Sequence, residues 1–455
     1  MSTDYGKILN ALPRPDLYDS WELVKRHMPV EQPPSTASYI VFQKGGQCYA
    51  KNGMTGHIEF GPGDASTVIQ SAIDVINASG GGKVFVKSGS YNIKSALVMK
   101  SYVALEGELE SYLPTVTNGT YFKLASGVKG ITAATNAYAF GLKNLSINGQ
   151  NVSDTGIELL NVGAINVKNV GVAYCNSYGI NVSVWDSQFT DVEVEYCNST
   201  GWYVRSTNNV LFLHCTSWGN LYDQWLINGD HGRSAFIQCR AGRFDTNNGL
   251  SGFVLDEATR VHLISPMVEN MKYHGIRLYG SRYCEIVSPA IYRIGRAATN
   301  SYHGIYIHPT TSYNATHNLI VGGMLDNSGV TEQPKYGVYE DNANQDYNYI
   351  VGFKVYSAAT AKYLLQGAHS KVMLDPFYIT QNSGTATFSG NGTTTTFTIA
   401  HGLAGTPKSY RVEAGSADAK GDKYVTADAT NLTVTFATAP PDGTNNVVLV
   451  WSAEM

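Results

Sequence analysis

The middle of the chain repeats itself at a spacing that few folds allow. Residues 172–179 read VAYCNSYG and residues 194–201 read VEYCNSTG, 22 positions on. ISP at 264–266 returns as VSP at 287–289, and YHGI at 273–276 returns at 302–305. Short β-type runs repeating every ~20–30 residues signal coils stacked along one axis, each burying its apolar side against its neighbours. With a glycine as phase marker, coils fall at Gly156, Gly179, Gly201, Gly252, Gly275, Gly304 and Gly337. Gln224 holds the same place in one coil, and the longer steps are loop insertions.

The phase predicts which side chains face inward. One and three places after the marker stand Ile157 and Leu159, Ile180 and Val182, Trp202 and Val204, Trp225 and Ile227, Phe253 and Leu255, Ile276 and Leu278, Ile305 and Ile307. Strand side chains alternate faces, so these stack as apolar ladders inside the coils. The residues between and beyond them face out in two rows. One row is Glu158, Asn181, Tyr203, Leu226, Val254, Arg277, Tyr306 and Tyr339; the other is Ser183, Arg205, Asn228, Asp256, Tyr279, His308 and Asp341.

Upstream, Asp64 or Ser66 can cap a helix whose stripe is Val68, Ile69, Ala72, Ile73 and Ile76, ended at 80–82 by three glycines. Short strands follow, broken at Ser88-Gly89-Ser90 and Lys100-Ser101. A helix placed there closes the apolar cross-section that the first coil of a stack would expose. DASTVIQSAID, GGGKVFVKSGSYNI and SYVALEGE, in this order and spacing, resemble the start of the pectate-lyase-like right-handed parallel β-helix superfamily. That group includes polysaccharide lyases, family 28 type glycosidases and viral tailspikes. The fold class expected is all-β: a right-handed parallel β-helix with an N-terminal capping helix and a small C-terminal antiparallel β-sandwich-like domain.

The domains expected are a lead segment and linker over 1–38, a small β-meander over 39–60, the capped β-helix over 61–379 and a C-terminal β-domain over 380–455. The lead holds a possible short helix at 21–27. The last domain is Thr-rich, alternating and free of the coil period. Its composition is broadly like β-domains that end viral fibre proteins.

Charged residues make up 15% of the chain and the net charge is −4, so no basic face for nucleic acid is expected. No apolar run is long enough to span a bilayer, so membrane insertion is not expected. The start, MSTDYGKILNALPRPDLYDS, lacks a basic region followed by an apolar one, and no conventional secretion signal is expected. Either the protein works inside the cell, or it leaves by another route or in a virion; with the resemblance, a virion or extracellular location is expected.

Cys175 and Cys197 hold the same place in successive coils, and Cys215 and Cys239 look like a second stacked pair. They are read as buried free thiols in the ladders, with a disulfide as the other possibility. No CxxC or HExxH spacing occurs, so neither a metal nor another cofactor is expected.

The outward rows gather ionisable groups in a charge-poor chain, which marks them as candidates for chemistry. Hydrolysis of a glycosidic bond needs a proton donor and a carboxylate, ~5–9.5 Å apart. Asp256 and Asp341 lie three coils apart, ~14 Å at the usual strand spacing, too far for a direct pair. The expected partner of Asp256 is therefore a loop acid such as Asp230, Asp245 or Glu257. A lyase needs instead a base and a group that neutralises a uronate, roles open to Arg205, Arg277, Tyr279 and His308.

Family 28 enzymes carry Asn-x-Asp, Asp-Asp, Gly-His-Gly and Arg-x-Lys on successive coils. Here Asp223 precedes the phase marker and His274-Gly275 resembles the His-Gly part, while the double Asp and the Arg-x-Lys are missing. His274 and His303 also have a purely structural reading, as turn residues stacked for shape. Candidate catalytic residues are thus Asp256, Arg277, His308, Asp341, Asp223 and His274. Candidate substrate-binding residues are Arg205, Tyr203, Tyr279, Tyr306, Asp230 and Asp245. Tyr339 and Trp218 are further stacking platforms, and the polar segment 228–249 is a second candidate region.

Two readings follow. In one, the chain binds and cleaves a polysaccharide or surface glycan, by hydrolysis or β-elimination, as a tailspike-type homo-oligomer, expected to be a trimer. In the other it is a non-catalytic glycan-binding or structural fibre module.

Overall fold

The computed structural model describes residues 37–108, 115, 119–242, 250–375 and 378–455. The possible helix at 21–27 lies outside the described residues. The described chain forms two compact units, one comprising residues 37–348 and 354–370, the other residues 349–353 and 371–455.

The first unit is a parallel β-helix; the chain as a whole makes about 11 turns of solenoid. It opens on three antiparallel strands, Tyr39–Lys44, Gln47–Asn52 and Ile58–Gly63. The first also runs parallel to Gly82–Val86 of the first coil, and so covers an edge that would otherwise be unpaired. Helix α1, Ala65–Ala78, follows. Asp64 caps it, accepting from the Thr67 amide at 3.2 Å and the Thr67 hydroxyl at 2.6 Å. Val68, Ile69, Ala72, Ile73 and Ile76 are buried, which is the stripe expected from the sequence. Ser66, on the same face, accepts the Lys94 amide at 2.7 Å, so the helix also satisfies backbone of the first coil.

Each regular coil then presents three faces. The first begins after the phase marker, and its register runs Ile157, Ile180, Trp202, Trp225, Phe253, Ile276, Ile305, Val338. These residues are all buried. Trp202 and Trp225 stack at 4.7 Å and 6°, and Phe212 and Phe236 of the second face at 4.5 Å and 2°. Flat rings stacked in register at one coil spacing pack face to face, the arrangement a close-packed interior favours. The marker is glycine because the far wall is close: a Cβ at Gly179 would lie 2.2 Å from Val194. Gln224 is tolerated where the wall residue is the small Ala241, and its side chain turns back to Asn220, whose Nδ2 donates to Gln224 Oε1 at 2.9 Å. All six cysteines are free and buried, as small residues of the stack.

One inward position breaks the apolar pattern. Glu340, three places after Gly337, is fully buried. Its carboxylate accepts from Asn348 Nδ2, Ser370 Oγ and the amides of Gln366 and Gly367 at 2.6–2.9 Å. Four donors replace the water that a buried carboxylate loses.

The second unit holds two three-stranded antiparallel sheets. One has Gln381–Gly390, Gly443–Glu454 and Ser409–Ala414; the other has Thr396–Ala400, Asn431–Phe436 and Lys423–Ala427. Phe397, Ile399, Leu432, Val434, Phe436, Leu449 and Trp451 form their shared core.

Candidate active site on the first face

The first face orders the outward rows as the phase requires. Val254, Arg277, Tyr306 and Tyr339 are in register, and so are Asn228, Asp256, Tyr279 and His308. A third row stands just before the marker, containing Asp223, Ser251, His274, His303 and Tyr336. Arg277, in the middle row, has acids in the preceding coils and imidazoles on its C-terminal side.

Arg277 donates from Nε and Nη2 to Nε2 of His308, at 3.4 and 3.3 Å. A nitrogen that accepts from a guanidinium carries no proton, so His308 is neutral with its proton on Nδ1. Burial first, then the charge of Arg277, brings its pKa down to about 3. The ring lies between Tyr306, at 4.1 Å and 9°, and Tyr279, at 4.3 Å and 13°. His274 accepts the His303 amide on Nδ1 at 3.1 Å, which leaves the proton on Nε2. Burial, then His303 and Arg277, hold it well below the usual imidazole range. His303 is brought down to about 4 by burial, and its own Nδ1 has no partner.

The acids behave in the opposite sense. Asp223, which accepts the Ser251 amide at 3.0 Å, is pushed up to about 6 by burial, while Arg277 pulls against that rise and Asp256 adds to it. Asp256 is raised by burial and then by Glu257, against the pull of Asn228 and Arg277. Thus Asp223 and Asp256, from successive coils, both feel the charge of Arg277 without pairing with it, and the charge of Asp256 disfavours ionisation of Asp223.

Asp223, Asp256, Arg277, His274, His308, Tyr279 and Tyr306 therefore form one cluster. Asp341 joins it only through Tyr306, whose hydroxyl donates to the Asp341 carboxylate at 3.2 Å. Tyr203 and Arg205 stand three coils before Arg277. There Arg205 lies 4.4 Å from the Tyr203 ring centroid and donates to Asn181 at 3.0 Å. Asp230 does not serve as the loop partner of Asp256. It is taken up by Thr259 at 3.0 Å and by Arg260, whose Nε donates at 2.9 Å. Asp245 lies outside the described residues.

Segment 228–249 is regular coil as far as Gly242, with strands Ala235–Ile237 and Arg240–Gly242, rather than a polar insertion. Left-handed turns at Arg233 and Gln238 let polar residues occupy corners of the coil. Trp218 sits on the third face, away from this cluster. Sequence reasoning also passed over His303 as part of the cluster and Ser251 as the donor to Asp223; their shared place one residue before the marker was the available signal. Among the described residues, no group of three or more His, Cys, Asp or Glu side chains is arranged to hold a metal ion. No helix among them is long and apolar enough to cross a membrane.

Among solved structures, the chain is similar to the A-module of a mannuronan C-5 epimerase from Azotobacter vinelandii. The match has 18% identity and a TM-score of 0.49, over 69% of this chain and 96% of the other. It is also similar to the ORF18 protein of Geobacillus virus E2, at 17% identity and a TM-score of 0.45, over 83% and 75% of the two chains. A tailspike protein of Pseudomonas phage LKA1 matches at 12% identity and a TM-score of 0.46, over 82% and 66%. No protein-family model matches the chain, and no curated protein matches it in sequence. Likenesses this distant assign no role to any residue here.

Proposed function

We propose that the first face binds a polysaccharide along its outward rows and cleaves it at the cluster around Arg277. The observation that carries this reading is the Arg277 guanidinium bonded to a neutral His308, on the face where two acids from preceding coils, Asp223 and Asp256, are held up by burial and feel its charge. In the hydrolytic form, Asp223 holds a proton near pH 6 and donates it to the glycosidic oxygen as the bond breaks. Asp256 is the carboxylate that activates water or attacks the sugar. Arg277 holds the sugar in place, and the Tyr279, His308 and Tyr306 rings offer flat surfaces to it.

A second form rests on the Arg277–His308 bond. A guanidinium able to grip a uronate carboxylate, beside an unprotonated imidazole, suits β-elimination. In either form the chain acts as a tailspike-type protein of a virion or the extracellular space, assembled as a homotrimer.

Incubation with a panel of bacterial and plant polysaccharides tests this reading. Reducing ends without absorbance of an unsaturated product indicate hydrolysis, and absorbance indicates elimination. Neither, across the panel, overturns cleavage and leaves a binding or fibre module. A monomer in sedimentation contradicts the tailspike assembly.

A further inference from the structure

Three coils before the cluster, the first face holds a second guanidinium, and it is fixed in place. Arg205 donates from Nε to Oδ1 of Asn181 at 3.0 Å. Asn181 is itself 3% exposed, and its Nδ2 donates to Glu158 at 3.1 Å, while Glu158 also accepts from Lys129 Nζ at 2.6 Å. The guanidinium carbon lies 4.4 Å from the centroid of the Tyr203 ring. Ring and amide together set the plane of the fork. An exposed arginine left to solvent needs no such chain of partners.

What this chain of contacts leaves open is the other end of the side chain. Among the described residues no carboxylate lies within ion-pair distance of Arg205, and its two terminal nitrogens have no hydrogen-bond partner. Off these rows, Arg260, Arg293, Arg296 and Arg411 each pair with an acid. Arg277 resembles Arg205 instead. It gives Nε and Nη2 to His308, has no carboxylate in ion-pair range among the described residues, and lies 5.5 Å from the Tyr279 ring. Two guanidiniums, each held through Nε and set against a tyrosine, therefore keep donors free on one face.

The register fixes their separation. Tyr203, Leu226, Val254 and Arg277 follow one another in successive coils, so Arg205 and Arg277 are three coils apart, ~14 Å at the usual strand spacing. The floor between them is Leu226 and Val254, with Asn228 and Asp256 alongside. An extended sugar polymer advances about one ring per coil spacing, so the two forks meet rings three apart in one chain laid along the axis.

We propose, resting on the reading of the first face as a polysaccharide surface, that Arg205 holds a carboxylate of the polymer three rings from one held by Arg277. The substrate class is then an acidic polysaccharide with carboxylate-bearing rings at that interval. The planar fork takes a planar carboxylate through two parallel hydrogen bonds, which a neutral ring does not offer. Leu226 and Val254 meet the apolar C–H faces of the rings between. Arg205 lies two coils from Asp256, so it binds and places the chain and touches no reacting atom.

The test is an array of bacterial capsular, O-antigen and plant acidic polysaccharides, each printed native and carboxyl-reduced beside neutral ones. The probe is the full chain carrying Asp256→Asn, so that the glycans stay intact. Expected is retention on native acidic polymers that carboxyl reduction removes. Arg205→Ala in the same background should weaken it about tenfold or more, and Arg205→Lys, which restores charge without the fork, should recover part of the loss. Among fragments of a retained polymer, affinity should step up at about four rings, the length that reaches both guanidiniums, and the step should vanish in Arg205→Ala. Arg205 is exposed, and thermal unfolding of its variants should match the parent's. Retention that survives carboxyl reduction, retention unchanged by Arg205→Ala, or no retention on any acidic polymer overturns the proposal. The two readings fail separately. Cleavage of neutral polysaccharides alone keeps the first face catalytic and ends this proposal, whereas acidic retention lost in Arg205→Ala, with no cleavage by the parent chain, does the reverse.

Discussion

The first and third faces rest on the same inward ladders, yet their outward groups have opposite electrostatics. On the first face, Arg277 draws down the acids that burial raises, and burial first, with Arg277 adding to it, keeps His308 and His274 neutral. On the third, no cation pairs with Glu193 or Glu195, outward on strand Ile180–Glu195, among the described residues, and burial is answered by retaining a proton. A solenoid thus separates two tasks along its strands. Inward places fix the stack, and outward places can carry different chemistry on each face at little cost to the fold.

The largest expected effect is on turnover. Arg277→Ala and Asp256→Asn should each lower kcat by about 10²–10⁴, the range for losing an acid, base or charge stabiliser, while thermal unfolding changes little. Steady-state rates on any polysaccharide found to be cleaved give the comparison. Near-normal rates in both variants would detach the chemistry from the first face.

Stability against pH sharpens the contrast. The Glu193 pKa is raised from 4.5 to about 8, so its stabilising contribution is complete below pH 4.5 and lost as pH rises through 8. Glu193→Gln should therefore raise the thermal midpoint at pH 9 and change it little at pH 5; calorimetry at the two pH values checks this. The imidazoles of the first face have the opposite slope, which Asp223, raised to about 6, offsets in part. His303 and His308 are lowered to about 4 and about 3, and His231, buried near the end of a first-face strand, to about 4. Their contribution is complete above pH 6.5 and lost as pH falls toward 3–4, because the unfolded chain takes up protons that the folded one refuses. Denaturant titrations from pH 7 to pH 4 should show less proton uptake on unfolding in His308→Asn than in the parent.

The smallest effect belongs to neither cluster. Arg260 and Asp230 pair with side chains more than half exposed, and Arg260→Ala should cost under about 1 kcal/mol. A larger loss in urea unfolding would mean that the edge of the first face is more than a solvated ion pair.

How much of this was legible in the sequence differs between inside and outside. The glycine marker fixes the register of Trp202, Trp225 and Phe253, because a period-2 strand with a buried face admits no one-residue slip. The same phase put Asp256, Tyr279 and His308 in one row. It could not give the neutrality of His308 or the raised pKa of Asp223, which depend on burial by neighbouring coils. Glu340 was invisible because its four donors come from residues 8 to 30 positions downstream. Glu193 and Glu195 were missed for another reason. Val192-Glu193-Val194-Glu195 alternates openly, but it stands on a later stretch of the coil, outside the phase that the glycine marker sets.

The most direct test is Asp223→Asn, assayed for both products and for stability at pH 7. Loss of reducing ends or unsaturated product by at least 10²-fold is expected. A protein no less stable than the parent is also expected. Raised from 3.8 to about 6, the native carboxylate costs up to about 3 kcal/mol at pH 7, which the amide removes. Undiminished cleavage by a folded Asp223→Asn protein would contradict the assignment of the first face as the catalytic surface.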